Sequence, residues 1–366
     1  MRLFIISVVL CLSGGAFAEP RIQLDSVWIA LNTDDSVASS KPARVVLGTD
    51  VHLSLVLQAR VNGKKRYFST RSHIRKSGRK IPKRLISPWP NDFPSLTIEW
   101  RTVEPSLALG IYDNTGTFGT EPHSPNHSTH PTRWHWCPIT YKEHALNWGS
   151  VWTHKATARP KETPDQYGGL GTMRYAAIVR LGDQRIRTSG SQNTVKGGLS
   201  ESVARVSYRK DNTFVGYMTE LLNVPYVYGS ASPNRNDANH QSEKALGADC
   251  ADLIVYGWRR GGKRLKYTWS QGLKSYTRRV KKVLYVGSGQ YTSVDGNPVR
   301  FDEHIRPGDI LLWGRHVAII TEIDSDKILT KNTKILHTIW GSPEIVPLNK
   351  IGYGFDKTDF EIRRIK

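Results

Sequence analysis

The sequence predicts two domains in series, a β-rich unit over residues 19–198 and an α+β unit over residues 199–366, behind a cleaved leader at residues 1–18. Three observations carry this. Apolar and polar residues alternate with period two in several segments of the first half, the mark of half-buried strands. Thr188-Ser189-Gly190-Ser191-Gln192-Asn193-Thr194-Val195-Lys196-Gly197-Gly198 is small, polar and glycine-rich, as linkers are. Beyond it helical patterns come first and strands follow, an α+β order rather than an alternating one.

Met1-Arg2, the apolar run Leu3 to Leu12 and Ser13-Gly14-Gly15-Ala16-Phe17-Ala18 have the order of a secretory signal peptide, so the mature chain is expected to begin at Glu19. The chain is then exported, to the periplasm or the medium, and the short leader with its single arginine leans towards the periplasm. Cys11 follows Leu10 inside the apolar run, so no lipid anchor is read. No later segment approaches the ~18 uninterrupted apolar residues that spanning a bilayer demands, and no integral membrane segment is expected. Cys137 and Cys250 are the cysteines left after the leader, too few for a disulfide framework, so an apolar core has to stabilise the chain. Lys and Arg number 52 against 32 Asp and Glu, a net charge of +20 that implies an anionic partner. For an exported chain that partner is peptidoglycan or another anionic envelope polymer; nucleic acid fits less well.

Along the first half, Ile22 to Leu31, Val51 to Leu57 and Leu96 to Trp100 read as strands, and Met173 to Gln184 as a strand entering a Gly-Asp turn with Arg185-Ile186-Arg187 returning. Together they suggest an antiparallel sandwich resembling immunoglobulin-like domains. Arg71 to Arg84 carries Arg75, Lys76, Arg79, Lys80, Lys83 and Arg84 and reads as a solvated basic loop, its functional reading an anion-binding patch. His123, His127, His130, His135, Cys137 and His144 are metal-ligand types, but their spacing matches no standard zinc pattern. A loop anchored by Trp134, Trp136 and Trp148 is expected there, with no metal site and no cofactor.

In the second half Asp211 can cap a helix carrying Phe214, Val215, Met218, Leu221 and Leu222. The aromatic turn Pro225-Tyr226-Val227-Tyr228-Gly229 and a polar loop from Ser230 to Leu246 lead to a second helix, which begins at Cys250 and stops at Gly261-Gly262. Arg259 to Lys282 reads as a basic helical or looped insertion. Strands follow at Ile310 to Trp313, His316 to Ile323, Lys327 to Thr330, Lys334 to Trp340 and Phe360 to Ile365.

Cys250 in the first turn of a helix faces N–H groups without internal partners, and the macrodipole favours a thiolate there. A lowered thiol pKa, as nucleophilic chemistry requires, is the expectation; the bland reading is a buried structural cysteine. A base must accompany a nucleophile, and a third polar group must orient the base. His240, His304, His316 and His337 are the candidate bases. His316 opens one predicted strand and His337 sits on its neighbour, which suits a base and an orienter facing a thiol on a packed helix.

The ordered set Asn223-Val224-Pro225-Tyr226-Val227-Tyr228-Gly229, Asp249-Cys250, Arg306-Pro307-Gly308-Asp309-Ile310-Leu311-Leu312-Trp313, His316-Val317-Ala318-Ile319-Ile320 and Ile335-Leu336-His337 resembles the motifs of the NlpC/P60 cysteine peptidases. The resemblance covers about residues 205–366. It implies a papain-like α+β fold and cleavage of amide bonds in the stem peptides of bacterial peptidoglycan, with Cys250 as nucleophile, His316 as base, His337 as orienting residue and Tyr226 near the thiol as an oxyanion donor. Where that family has Asp-Cys-Ser-Gly, this chain has Asp249-Cys250-Ala251-Asp252, which leaves the bond cleaved open. Asn332 is an alternative third residue, by likeness to the related CHAP amidases. Two other functions stay open: an acyltransferase or amidase acting on a lipid or protein amide, and a catalytically silent envelope-binding protein.

Overall fold

The computed structural model describes residues 20–33, 37–106, 112–115, 136–161 and 166–366. The leader, and His123, His127, His130 and His135 with Trp134, lie outside the described residues. Among the described residues the chain is mostly β, with 41% strand against 12% helix and curled sheets. This overturns the α+β, papain-like expectation for the C-terminal half. The Asp211 helix shrinks to Phe214–Met218, capped by Thr213 rather than Asp211, followed by one 3-10 turn. The basic insertion becomes a loop, a 3-10 turn at Ser270–Ser275 and the strand Thr277–Tyr285. Its apolar residues are spaced as on a helix, but backbone pairing with Phe360–Ile365 decides the outcome.

The N-terminal half builds two sheets over one core. Strands Ile22–Thr33 and Val51–Val61 pair antiparallel along their length at the centre of the first. Thr97–Pro105, Gly171–Leu181 and Ala204–Arg209 form the body of the second. Leu53, Leu55 and Leu57 from one sheet meet Trp100, Tyr175, Ala177 and Val206 from the other, all buried. The hairpin predicted around Gly182-Asp183 is present, joining Gly171–Leu181 to Gln184–Arg187. The pairing departs from a purely antiparallel sandwich, because Ala43–Val46 runs parallel to Ala204–Arg209 and Ala38–Ser39 runs parallel to Ile74–Lys76. The N-terminal sheet also takes in Ala204–Arg209, beyond the compositional boundary at residue 199. The predicted basic loop is a short hairpin, Ile74–Lys76 with Arg79–Lys80, pinned by the buried Ile74 and Ile81 beneath Trp28.

The C-terminal half is a seven-stranded antiparallel sheet in the order Tyr291–Ser293, Thr277–Tyr285, Phe360–Ile365, Ile310–Leu312, Val317–Ile320, Lys334–His337, Glu344–Pro347. Its central strands are apolar on both faces because both are covered. Ile310, Leu312, Val317, Ile319 and Leu336 face the helix Cys250–Arg260, while Leu311, Ala318, Ile320 and Ile335 face a second cluster with Phe301 and Phe360. Lys327 to Thr330 forms no strand; it contributes one isolated bridge, Arg300 to Ile328.

The helix Cys250–Arg260 carries its glycine for a packing reason. A methyl group at Gly257 would stand 2.5 Å from the Phe214 carbonyl oxygen and from Met218 Cγ, where the short helix crosses. Gly257→Ala is therefore expected to destabilise the protein by about 1–3 kcal/mol despite alanine's better helix propensity, read as a lowered urea midpoint.

Candidate active site

Asp249 begins the cysteine helix. Its Oδ1 accepts from the backbone N–H groups of Ala251 and Asp252, each at 3.0 Å, and Asp252 Oδ2 accepts in return from Asp249 N–H at 3.4 Å. This is a capping box, and it fixes Cys250 as the first helical residue. Ahead of it, Tyr226 is bridged to Ala248, with Val227 N–H donating to Ala248 O at 3.1 Å, so the aromatic turn lies beside the helix start. On the other side the strand Val317–Ile320 packs under the helix, with Val317 in the buried cluster against which Cys250 packs.

His316 immediately precedes that strand and His337 ends its neighbour. Their rings meet edge to face with centroids 5.3 Å apart, and both are buried. Trp313 and Phe355 pack on the His316 ring, with centroids at 5.9 and 4.9 Å. His316 Nε2 is buried with no hydrogen-bond partner among the described residues. His337 Nε2 lies 3.2 Å from Glu344 Oε1, within ion-pair range although not aligned as a hydrogen bond. The structure thus sets Tyr226 beside Cys250 and His316 against His337, with Val317, the residue after His316, packed under the cysteine helix. It does not bring Asn332 to them: Asn332 is exposed in the turn before Lys334–His337, at the opposite end of that strand from His337. His240 is buried behind Asp252, its Nε2 3.7 Å from Asp252 Oδ1 and 3.1 Å from Ser230 O and its ring stacked on Tyr267 at 3.5 Å, and His304 lies in the Phe301–Ile305 turn.

The chain matches no protein-family model, no curated protein and no solved structure.

The thiol departs from the sequence-based expectation. Desolvation of the thiol, which is only partly buried, then the neighbouring Asp249 carboxylate, push Cys250 well up, and the nearby N–H groups of Val317 and Ala251 offset only part of this. A helix start stabilises a thiolate when water and cations surround it; here two carboxylates do. Burial, with the neighbouring His337, also pushes His316 well below the usual histidine range. Both groups therefore rest neutral, as a thiol and an imidazole. Burial, then Cys250, raises the Tyr226 phenol, which stays a hydroxyl donor. Two helix-start N–H groups that could have served an oxyanion are already bonded to Asp249, which leaves more of that task to Tyr226. Asp249→Asn keeps an efficient cap and removes one negative charge, so alkylation of Cys250 by iodoacetamide should move to lower pH, readable by mass spectrometry of the labelled peptide.

Several neighbours were not singled out from the sequence. Trp340 reaches Tyr226 and Tyr228, with ring centroids at 5.5 and 6.2 Å, and the exposed Tyr353 at 6.1 Å. Trp340 sits at φ +57°, after the strand rather than in it as expected. From the N-terminal half, Tyr112–Asp113 runs parallel to Val227–Tyr228, and the Asp113 charge helps raise the Tyr228 phenol. No local signal marks either contact, since each joins segments about a hundred residues apart. Cys137 is a buried thiol pushed up to about 11 by burial, and His144 lies in the strand Tyr141–Ala145. Among the described residues no group of three or more His, Cys, Asp or Glu side chains could hold a metal ion, and no helix is long and apolar enough to cross a membrane.

Proposed function

We propose that the protein is an exported cysteine hydrolase of amide bonds, related to the NlpC/P60 peptidases, with peptidoglycan stem peptides as substrate. What supports this reading is Cys250 at a capped helix start packed over the strand that follows His316, with His337 ending the next strand and meeting His316 edge to face. With both partners neutral, the reaction is general-base catalysis. His316 takes the thiol proton as the sulfur attacks the carbonyl, Tyr226 donates to the developing oxyanion, His316 returns the proton to the leaving amine, and water releases the acyl group. His337, edge-on to His316 and paired with Glu344, orients the base. The aromatic group of Tyr226, Tyr228, Trp340 and Tyr353 offers apolar faces for the substrate backbone, and the high positive charge suits the anionic wall.

The mature protein, incubated with purified peptidoglycan, should release new amino and carboxyl termini, detected by mass spectrometry of the soluble products. Cys250→Ala should reduce this to background, and unchanged release by that variant would overturn the reading. The raised thiol pKa favours one second reading, a silent envelope-binding protein. Tight wall binding with no Cys250-dependent turnover would select it.

A further inference from the structure

A separate cavity of about 790 Å³ opens where the two halves meet, and none of its lining residues belongs to the Cys250 site. From the N-terminal half come Trp28 on the strand Ile22–Thr33, Lys41, Arg44, Lys76 on the basic hairpin, and Arg205 on the strand Ala204–Arg209. Lys244 and Arg259 close it from the C-terminal half, the latter in the last turn of the cysteine helix.

Six cations and two carboxylates line this space. Both carboxylates are engaged, Glu201 by Lys244 at 2.8 Å and Glu243 by Arg259 at 2.7 Å. Arg44 donates to the Glu243 carbonyl oxygen. Lys41, Lys76 and Arg205 form no ion pair among the described residues; the carboxylate nearest in effect to Arg205, Glu201, is held by Lys244. Arg205 is the most telling of the three. It is only 5% exposed, and its Nη1 is buried without a hydrogen bond. Burial and the neighbouring Arg44 and Arg174 guanidinium groups push it down to about 9. Trp28 Nε1, in the same wall, is a second buried donor without a partner, and Lys76 Nζ stands 4.0 Å over the Trp28 ring. Orphaned buried donors are rare in folded proteins, and here both belong to the wall of one cavity.

We propose that this cavity binds a small phosphate-bearing anion. The unsatisfied groups are all donors, so the ligand must be rich in acceptors. Arginine's planar fork matches phosphoryl oxygens, and a multiply charged ligand uses the surplus of cations better than a single carboxylate. The volume falls within the ~300–1,000 Å³ usual for small-molecule sites. The assignment does not rest on the hydrolase reading, since no residue is shared with it.

The test is isothermal titration of the mature protein with tripolyphosphate at about physiological salt. Wild type should bind saturably, and Arg205→Met and Lys76→Ala should each weaken binding about tenfold or more, while Lys334→Ala, which removes an exposed charge elsewhere, leaves it unchanged. If Arg205→Met fails to fold, the double variant Lys41→Ala, Lys76→Ala carries the comparison. No binding by wild type, or equal weakening by Lys334→Ala, would overturn the proposal, as would equally tight binding of citrate.

Discussion

Exchange of His316 for alanine or glutamine should lower turnover of an amide substrate about 10²–10⁴-fold, the usual contribution of a positioned general base. The pH profile separates this from a packing effect. Burial holds His316 neutral far below the usual ~6.5 of histidine. Wild-type kcat/KM should therefore keep its acid limb well below that value, since the base loses function only when it gains a proton. On the alkaline side, where the raised thiol ionises, iodoacetamide labelling of Cys250 should climb. His316→Gln should lose turnover across the whole range yet retain the alkaline rise in labelling. Turnover within twofold of wild type in His316→Gln would assign the proton transfer to another group.

The second large effect concerns stability. Glu220 follows the helix Phe214–Met218 and its side chain is fully buried, yet it is acidic. Arg209 Nη1 lies 3.3 Å from it, Arg260 Nε 3.6 Å and Arg44 Nε 3.9 Å, and the Tyr256 hydroxyl donates to Oε2. Arg44 and Arg209 belong to the N-terminal sheet, Tyr256 and Arg260 to the cysteine helix, so this carboxylate ties the two halves together. Glu220→Ala leaves three guanidinium groups without their shared counter-charge and should cost about 3–5 kcal/mol, measured by denaturant unfolding. Glu322→Ala breaks the exposed pair with Lys210 at 3.5 Å and should cost under about 1 kcal/mol. Equal losses in the two variants would mean that the buried cluster is not the tie it looks to be.

Residues that act on near neighbours are legible in the sequence. The start at Cys250 and the stop at Gly261-Gly262 bound the cysteine helix as read, because capping and termination involve groups within three or four residues. The turn at Gly182-Asp183 and the strands at Ile22 and Val51 follow from alternation and turn chemistry in the same way, and those at Ile310 and Val317 from short apolar runs after turns. Thr277–Tyr285 shows the limit: its residues allow helix or strand, and a partner some eighty positions away chooses strand.

The sequence by itself therefore determined the local elements, the order of the candidate site residues and the excess of positive charge. Tertiary structure decided the rest. It made the described residues mostly β, set His337 rather than Asn332 beside His316, and reversed the expected shift of the Cys250 thiol by desolvating it next to Asp249. It also gathered Arg44, Arg205 and Lys244 around one cavity. The physical reason is common to all of these. Burial and Coulomb energy depend on distance in space, and folding brings together charges that the chain keeps far apart.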